Sequence, residues 1–227
     1  MDRTERILAA AAELFVRFGV SKTTVDEIAR AAGISKGAIY LEFRGKDALV
    51  DALIQHELRA YLLASSNRIE ADEEGGRLSR IYRHCTAELL RRPFLRALYT
   101  RDFDVLGGQL RRYGPQRATP RLALSESFVE RLRAAGLIRP DVDVQTVSHL
   151  MAVISAGMVT IGSLAGETSP VLLGQTLDLV GDMMAATVET PPGQGDVDAG
   201  KRAFADLADQ LVAGITGGTG GHSDQGQ

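Results

Sequence analysis

The run TTVDEIARAAGISKGAIYLEF, Thr23 to Phe43, decides how this chain is read. Thr23 and Thr24 offer an N-cap, Asp26 and Glu27 stand in the first turn where the helix dipole favours anions, and Val25, Ile28, Ala29 and Ala32 mark an apolar face. Gly33 ends that helix, since glycine enters a left-handed turn without a Cβ penalty. Ile34 follows at once, and Ser35 caps a further helix through Lys36, Gly37, Ala38, Ile39 and Tyr40 to Leu41. Two short helices joined this tightly form the unit whose second helix can enter a major groove.

Working outward, Ile7, Leu8, Ala11, Leu14, Phe15 and Phe18 recur at helical spacing and stop at Gly19, which predicts a preceding helix. Phe43 packs back on this small core, and Gly45 precedes a fourth helix through Leu49, Leu53, Ile54, Leu58 and Leu62 that fades near Asn67. A fifth carries Leu78, Ile81, Tyr82, Cys85 and Leu89 up to Pro93, and a sixth runs from Phe94 to about Phe103. The segment from Gly107 to Pro120 reads as an exposed loop. Leu124, Phe128 and Leu132 define a seventh helix, an uncharged stretch after Asp143 an eighth, and Ser169 with Pro170 the start of a ninth. Pro191, Pro192, Gly193 and Gly195 make a linker, followed by an amphipathic helix through Phe204, Leu207, Leu211 and Ile215.

No strand is predicted. The fold class is all-α: an N-terminal three-helix helix-turn-helix domain (1–46) joined to a larger C-terminal helical bundle (47–190). A linker (191–197), an additional helix (198–216) and a disordered tail (217–227) follow. The bundle is expected to carry ligand binding and dimerisation.

The 227 residues are 44% hydrophobic and 24% charged, the balance of an ordinary globular protein, and Trp is absent, so aliphatic residues must build the core. A single cysteine excludes an internal disulfide, and the charged start Asp2, Arg3, Glu5, Arg6 lacks the apolar run of a signal peptide; a cytoplasmic location is expected. No formal charge occurs between Asp143 and Glu167, long enough to cross a bilayer, but Gln145, Thr146, Ser148, His149, Ser155, Thr160 and Ser163 make lipid exposure costly. That stretch is read as a buried helix, and no membrane partner is expected.

The net charge of -3 gives no bulk affinity for nucleic acid. Residues 1–47 hold 8 Lys and Arg against 7 Asp and Glu, so any DNA reading rests on where particular cations sit. Thr24, Ser35, Tyr40 and Lys46, at helix ends, suit phosphate oxygens; Gly37 allows close backbone approach. Lys36 can donate to guanine and the Ala38 methyl can touch thymine. Glu42 would repel a phosphate unless it turns away, for instance toward Arg44 or Lys46.

His56, His84, His149 and His222 lack metal-ligand spacing, and neither a nucleophile motif nor a phosphate-binding glycine loop occurs; no enzyme, metal or cofactor is expected. Cys85 suits a redox sensor less well than an inert buried thiol. The eighth and ninth helices are apolar almost all round, so one side must pack on the subunit's own bundle and the other on a partner. Ala152, Ser155, Val159, Leu173, Leu177, Val180 and Met184 are the candidate interface of a homodimer.

The run Ile7-Leu8-x-Ala10-Ala11, with Leu14-Phe15, Gly19-Val20, Thr23-Thr24-Val25, Ile28-Ala29, Ala32-Gly33-Ile34-Ser35, Gly37-Ala38-Ile39-Tyr40, Phe43 and Lys46-Asp47-x-Leu49, resembles the N-terminal domain of the TetR family of transcriptional regulators. The resemblance implies a homodimeric repressor binding double-stranded DNA through the helix that begins after Ser35, with a four-helix dimer bundle and a small-molecule pocket among the central helices. No motif carries the pocket. Tyr82, Cys85, Tyr99, Phe103, Phe128, His149 and Met158 are candidates for its lining, as aromatic, polarisable or weakly polar groups on apolar faces, and their apolar surroundings favour a hydrophobic ligand. A helical binding module with weakened DNA affinity is the alternative, argued from Glu42.

Overall fold

Helix α1 (Arg3–Phe18) begins where Asp2 and Glu5 exchange hydrogen bonds, each carboxylate accepting the other's backbone N–H at 2.8 Å. The computed structural model describes residues 2–100, 126–165 and 170–217. Further helices are α2 (Val25–Ala32), α3 (Lys36–Glu42), α4 (Lys46–Ala71), α5 (Leu78–Leu90), α6 (Pro93–Thr100), α7 (Glu126–Ala134), α8 (Val144–Ala165), α9 (Pro170–Thr187) and α10 (Val197–Gly217). Among the described residues no strand occurs, only one antiparallel bridge between Ile138 and Glu189. The expected loop from Gly107 to Pro120 and the tail beyond Gly217 lie outside the described residues.

The described residues divide into two compact units, residues 2–60 with 92–100 and residues 61–91 with 126–165 and 170–217. This differs from the division expected at Lys46. In the first unit Ile7, Phe15, Ile28, Ile39, Leu49, Leu53 and Phe94 are all buried, and the rings of Phe15 and Phe94 lie 6.3 Å apart. Helix α6 and the start of α4 therefore share the core of α1 to α3. Arg92 at the head of α6 also reaches Glu57 on α4 at 3.4 Å. Nothing in the periodicity of α4 marks a change of neighbour along it.

In the second unit α9 packs along α5, while α7 lies against both α8 and α10. Asp196 caps α10 by accepting the Ala199 N–H at 2.8 Å, and its own N–H donates to the Ala135 carbonyl. Phe204 meets Phe128 edge to face at 6.4 Å, and Ala203, Phe204 and Ala208 are buried. The additional helix thus docks on its own subunit. At its start Gly200 and Gly76 are so close that a Cβ on either would collide with backbone of the other segment.

Candidate nucleic-acid interface

The helix-turn-helix is set by its caps. Thr24 Oγ1 accepts the Glu27 N–H at 3.2 Å while the Glu27 carboxylate accepts the Thr24 N–H at 2.7 Å. Gly33 sits at φ 66°, its N–H bonded to the end of α2, and the Ile34 N–H donates to Ala29 at 3.0 Å. Ser35 Oγ then accepts the Ala38 N–H at 3.2 Å and starts α3. Ile39 and Phe43 point into the core, which leaves Lys36, Gly37, Tyr40 and Leu41 exposed on the outer side of α3.

The expected contact residues fall into distinct situations. Tyr40 is 51% exposed, so it is a surface group and not a core residue. Lys36 Nζ donates to Asp26 Oδ2 at 2.8 Å, and this hydrogen bond and charge raise its pKa, keeping it a cation. Ala38 is half-buried, turned partly toward the domain. The Thr24 hydroxyl donates to Glu27 at 2.8 Å. Lys46 donates to the carbonyls of Val20 and Thr23 at 2.8 and 3.1 Å, so two of its three donors tie α4 to the turn before α2.

Glu42 turns away from that outer side, but not to Arg44 or Lys46. Its carboxylate accepts from Thr4 Oγ1 at 3.4 Å and lies 3.7 Å from Arg3, both on α1. Sequence spacing could not reveal this pairing across 38 residues. Leu41, absent from the expected contacts, is 83% exposed, and only its helical register one turn after Gly37 could have pointed to it.

The expected pocket residues lie in different parts of the structure. Phe128 is spent on Phe204, His149 is exposed, and Phe103 lies outside the described residues. Tyr99 belongs to the first unit, whereas Tyr82, Cys85 and Met158 belong to the second. What the second unit does assemble is a group of hydroxyls on α4, α5 and α8, buried at Ser65, Tyr82 and Thr86 and half-buried at Ser155. The Tyr82 hydroxyl has Thr86 and Ser155 beside it without a well-formed hydrogen bond among the described residues, and the Ser65 hydroxyl is likewise buried and unsatisfied. Cys85 lies between Tyr61 and Ser65, and burial pushes its thiol up to about 12.

Cys85 should accordingly resist iodoacetamide at pH 8 in the folded protein, at least about tenfold slower than in urea, because the reactive thiolate is scarce. Equal rates folded and unfolded would remove this account of the site.

Helices α8 and α9 each keep an apolar stripe in the open. On α8 it is Leu150, Val153 and Ile161, and on α9 Val171, Leu172, Leu179 and Met183, all between 44% and 69% exposed. Of the expected interface, Val159, Leu177 and Met184 are instead buried within the subunit, and Ala152, Ser155, Leu173 and Val180 are half-buried. All-round apolarity identified the helices but not which side faces inward. The stretch Val144–Ile161 is long and apolar enough to span a membrane, with 28% of it buried.

Residues 7–53 match the family model described as bacterial regulatory proteins, tetR family. The HTH-type transcriptional regulator SrpR of Pseudomonas putida is 47% identical over 60 residues, 25% of this chain and 28% of that relative. The chain therefore covers well under two thirds of the relative's length. Among solved structures, the transcriptional regulator FadR of Bacillus subtilis in complex with stearoyl-CoA superposes with a TM-score of 0.60 at 17% identity, over 79% of this chain and 96% of that one. SmeT, the repressor of the Stenotrophomonas maltophilia multidrug efflux pump SmeDEF, does so with a TM-score of 0.60 at 23% identity, over 85% and 92%. Both likenesses speak for the fold.

Proposed function

We propose that this chain, whose N-terminal domain is that of the TetR family of bacterial regulatory proteins, represses transcription as a homodimer that binds a roughly palindromic operator. It is a binding protein and not an enzyme. The observation that carries the reading is α3 itself, capped by Ser35, anchored by Ile39 and Phe43, and presenting Lys36, Gly37, Tyr40 and Leu41 outward. Lys36 would donate to a guanine edge, exchanging Asp26 for the base. Tyr40, Ser35 and Thr24 with the third Lys46 donor would hold phosphates. Ala38, half-buried, is left a marginal role.

The alternative of a module with weakened DNA affinity drew on Glu42, and Glu42 is engaged by Arg3 and Thr4. The exposed stripes of α8 and α9 support a two-fold dimer, since apolar surface of this kind calls for a partner. A small, mainly hydrophobic ligand in the bundle would favour a dimer geometry that no longer matches the half-site spacing, releasing DNA. Stearoyl-CoA, with its long apolar chain, bound to a protein of the same fold supports an effector with a large apolar part, and the hydroxyls around Tyr82 and Cys85 would orient its polar end.

The test is a mobility shift with DNA from upstream of the protein's own gene. Saturable binding that weakens with salt is expected. The absence of any such binding, to this DNA or to a random duplex pool, would overturn the repressor reading.

Gly37→Ala separates fold from function. A Cβ at position 37 would meet only Ser35 Oγ at 3.9 Å, an ordinary contact, and alanine is the better helix former. The melting temperature should hold or rise slightly while operator affinity falls at least about tenfold, because the added methyl lifts the helix off the base edges. Unchanged affinity would show that the backbone does not approach DNA there.

A further inference from the structure

Leu41 is the most exposed of the large apolar side chains among the described residues, at 83%. Its place on α3 gives that exposure a meaning. At 3.6 residues per turn, Gly37 and Leu41 both lie about 160° around the helix from Ile39, one on either side of the line opposite it. Ile39 is the buried anchor, at 1% exposure. The outermost ridge of the helix is therefore formed by Gly37 and Leu41. Gly37 has no side chain, which leaves Leu41 as the one group standing on that ridge.

The polar groups of α3 are already turned to partners or to water: Lys36 to Asp26, Glu42 to Arg3, and Tyr40 half exposed. An isobutyl group among them gains nothing from water and nothing from phosphate. In a major groove, the base edge offers one apolar partner, the C5 methyl of thymine. Ala38, the earlier candidate for that contact, is half-buried and off the ridge.

We infer that Leu41 reads a thymine methyl in each operator half-site and so sets a specificity position that hydrogen bonding cannot. The inference rests on the proposed docking of α3 in the major groove.

The test begins with the full-length protein selecting duplexes from a random pool. In the selected operator each thymine is replaced in turn by deoxyuridine, which removes only the methyl, and binding is compared for the natural protein and Leu41→Ala. The natural protein is expected to lose about three- to tenfold at one thymine per half-site. Leu41→Ala is expected to bind more weakly and to be indifferent to that replacement, with an unchanged melting temperature because the side chain is exposed. Indifference of the natural protein at every thymine would overturn the inference, as would a sensitivity that persists in Leu41→Ala. Persistence there with loss in Ala38→Gly would assign the contact to Ala38 instead. Failure to select any sequence would strike the docking of α3 itself, a different result from a selected operator that ignores its methyls.

Discussion

Glu189→Ala is expected to lower the free energy of unfolding by about 1–3 kcal/mol, the range for leaving a buried hydrogen-bond donor without its acceptor. The Glu189 side chain is 2% exposed and that of Arg77 7%, with Nη1 to Oε2 at 3.8 Å. The carboxylate also accepts the Ser79 N–H at 2.6 Å. Helix α5 has no side-chain cap of its own at Arg77, so a residue 110 positions away serves its N-terminus and meets its dipole. Arg77 in turn donates to the carbonyls of Thr190, Pro191 and Gln194 at 2.9 to 3.3 Å, besides its contact with Glu74. Alanine at 189 would strand the Ser79 N–H and remove one of the two carboxylates beside the guanidinium, which keeps Glu74 and its three carbonyls. Glu189→Gln, which keeps an acceptor but not the charge, should fall between. Urea titrations measure both, and a loss under about 1 kcal/mol for the alanine variant would mean that the pair contributes little beyond the hydrophobic core.

Leu179→Glu combined with Met183→Glu is expected to leave a folded monomer that has lost at least about a hundredfold in operator affinity, because one half-site alone cannot hold the protein. The two side chains are 61% and 58% exposed, four residues apart and so on one side of α9. Charges placed there do not disturb the subunit's own core, but they would be buried unpaired in a two-fold interface, where each meets its symmetry mate. Sedimentation gives the oligomeric state and circular dichroism the fold. A stable dimer in this variant would show that the stripe on α9 is not the interface, and would move attention to other surfaces. Substitution at Leu177 or Met184 would answer a different question, since both are buried inside the subunit and their loss acts through stability.

Much of this molecule is legible in its residues because the signals are local. Capping residues at Asp2, Thr24 and Ser35, the left-handed Gly33, and apolar spacing in α1 to α3 place three helices and their turn without reference to anything distant. The same holds for the amphipathic last helix. Helix α8, uncharged throughout, could be recognised as a helix but not oriented, since a residue apolar on every side carries no sign of which neighbour it meets.

What the chain alone determined is the all-α architecture and the helix-turn-helix, both consequences of interactions within a few residues. The tertiary structure decided the rest: that Glu42 is held by Arg3 and Thr4, that Lys46 braces a turn, that Glu189 caps α5, that α10 docks on its own subunit, and which stripe of α8 and α9 remains bare. Each of these depends on groups separated by tens of residues, brought together when apolar faces pack. Charge and hydrogen-bond partners follow from that packing, and so the polar map of the surface formed by Thr23 to Phe43 could be completed only in three dimensions.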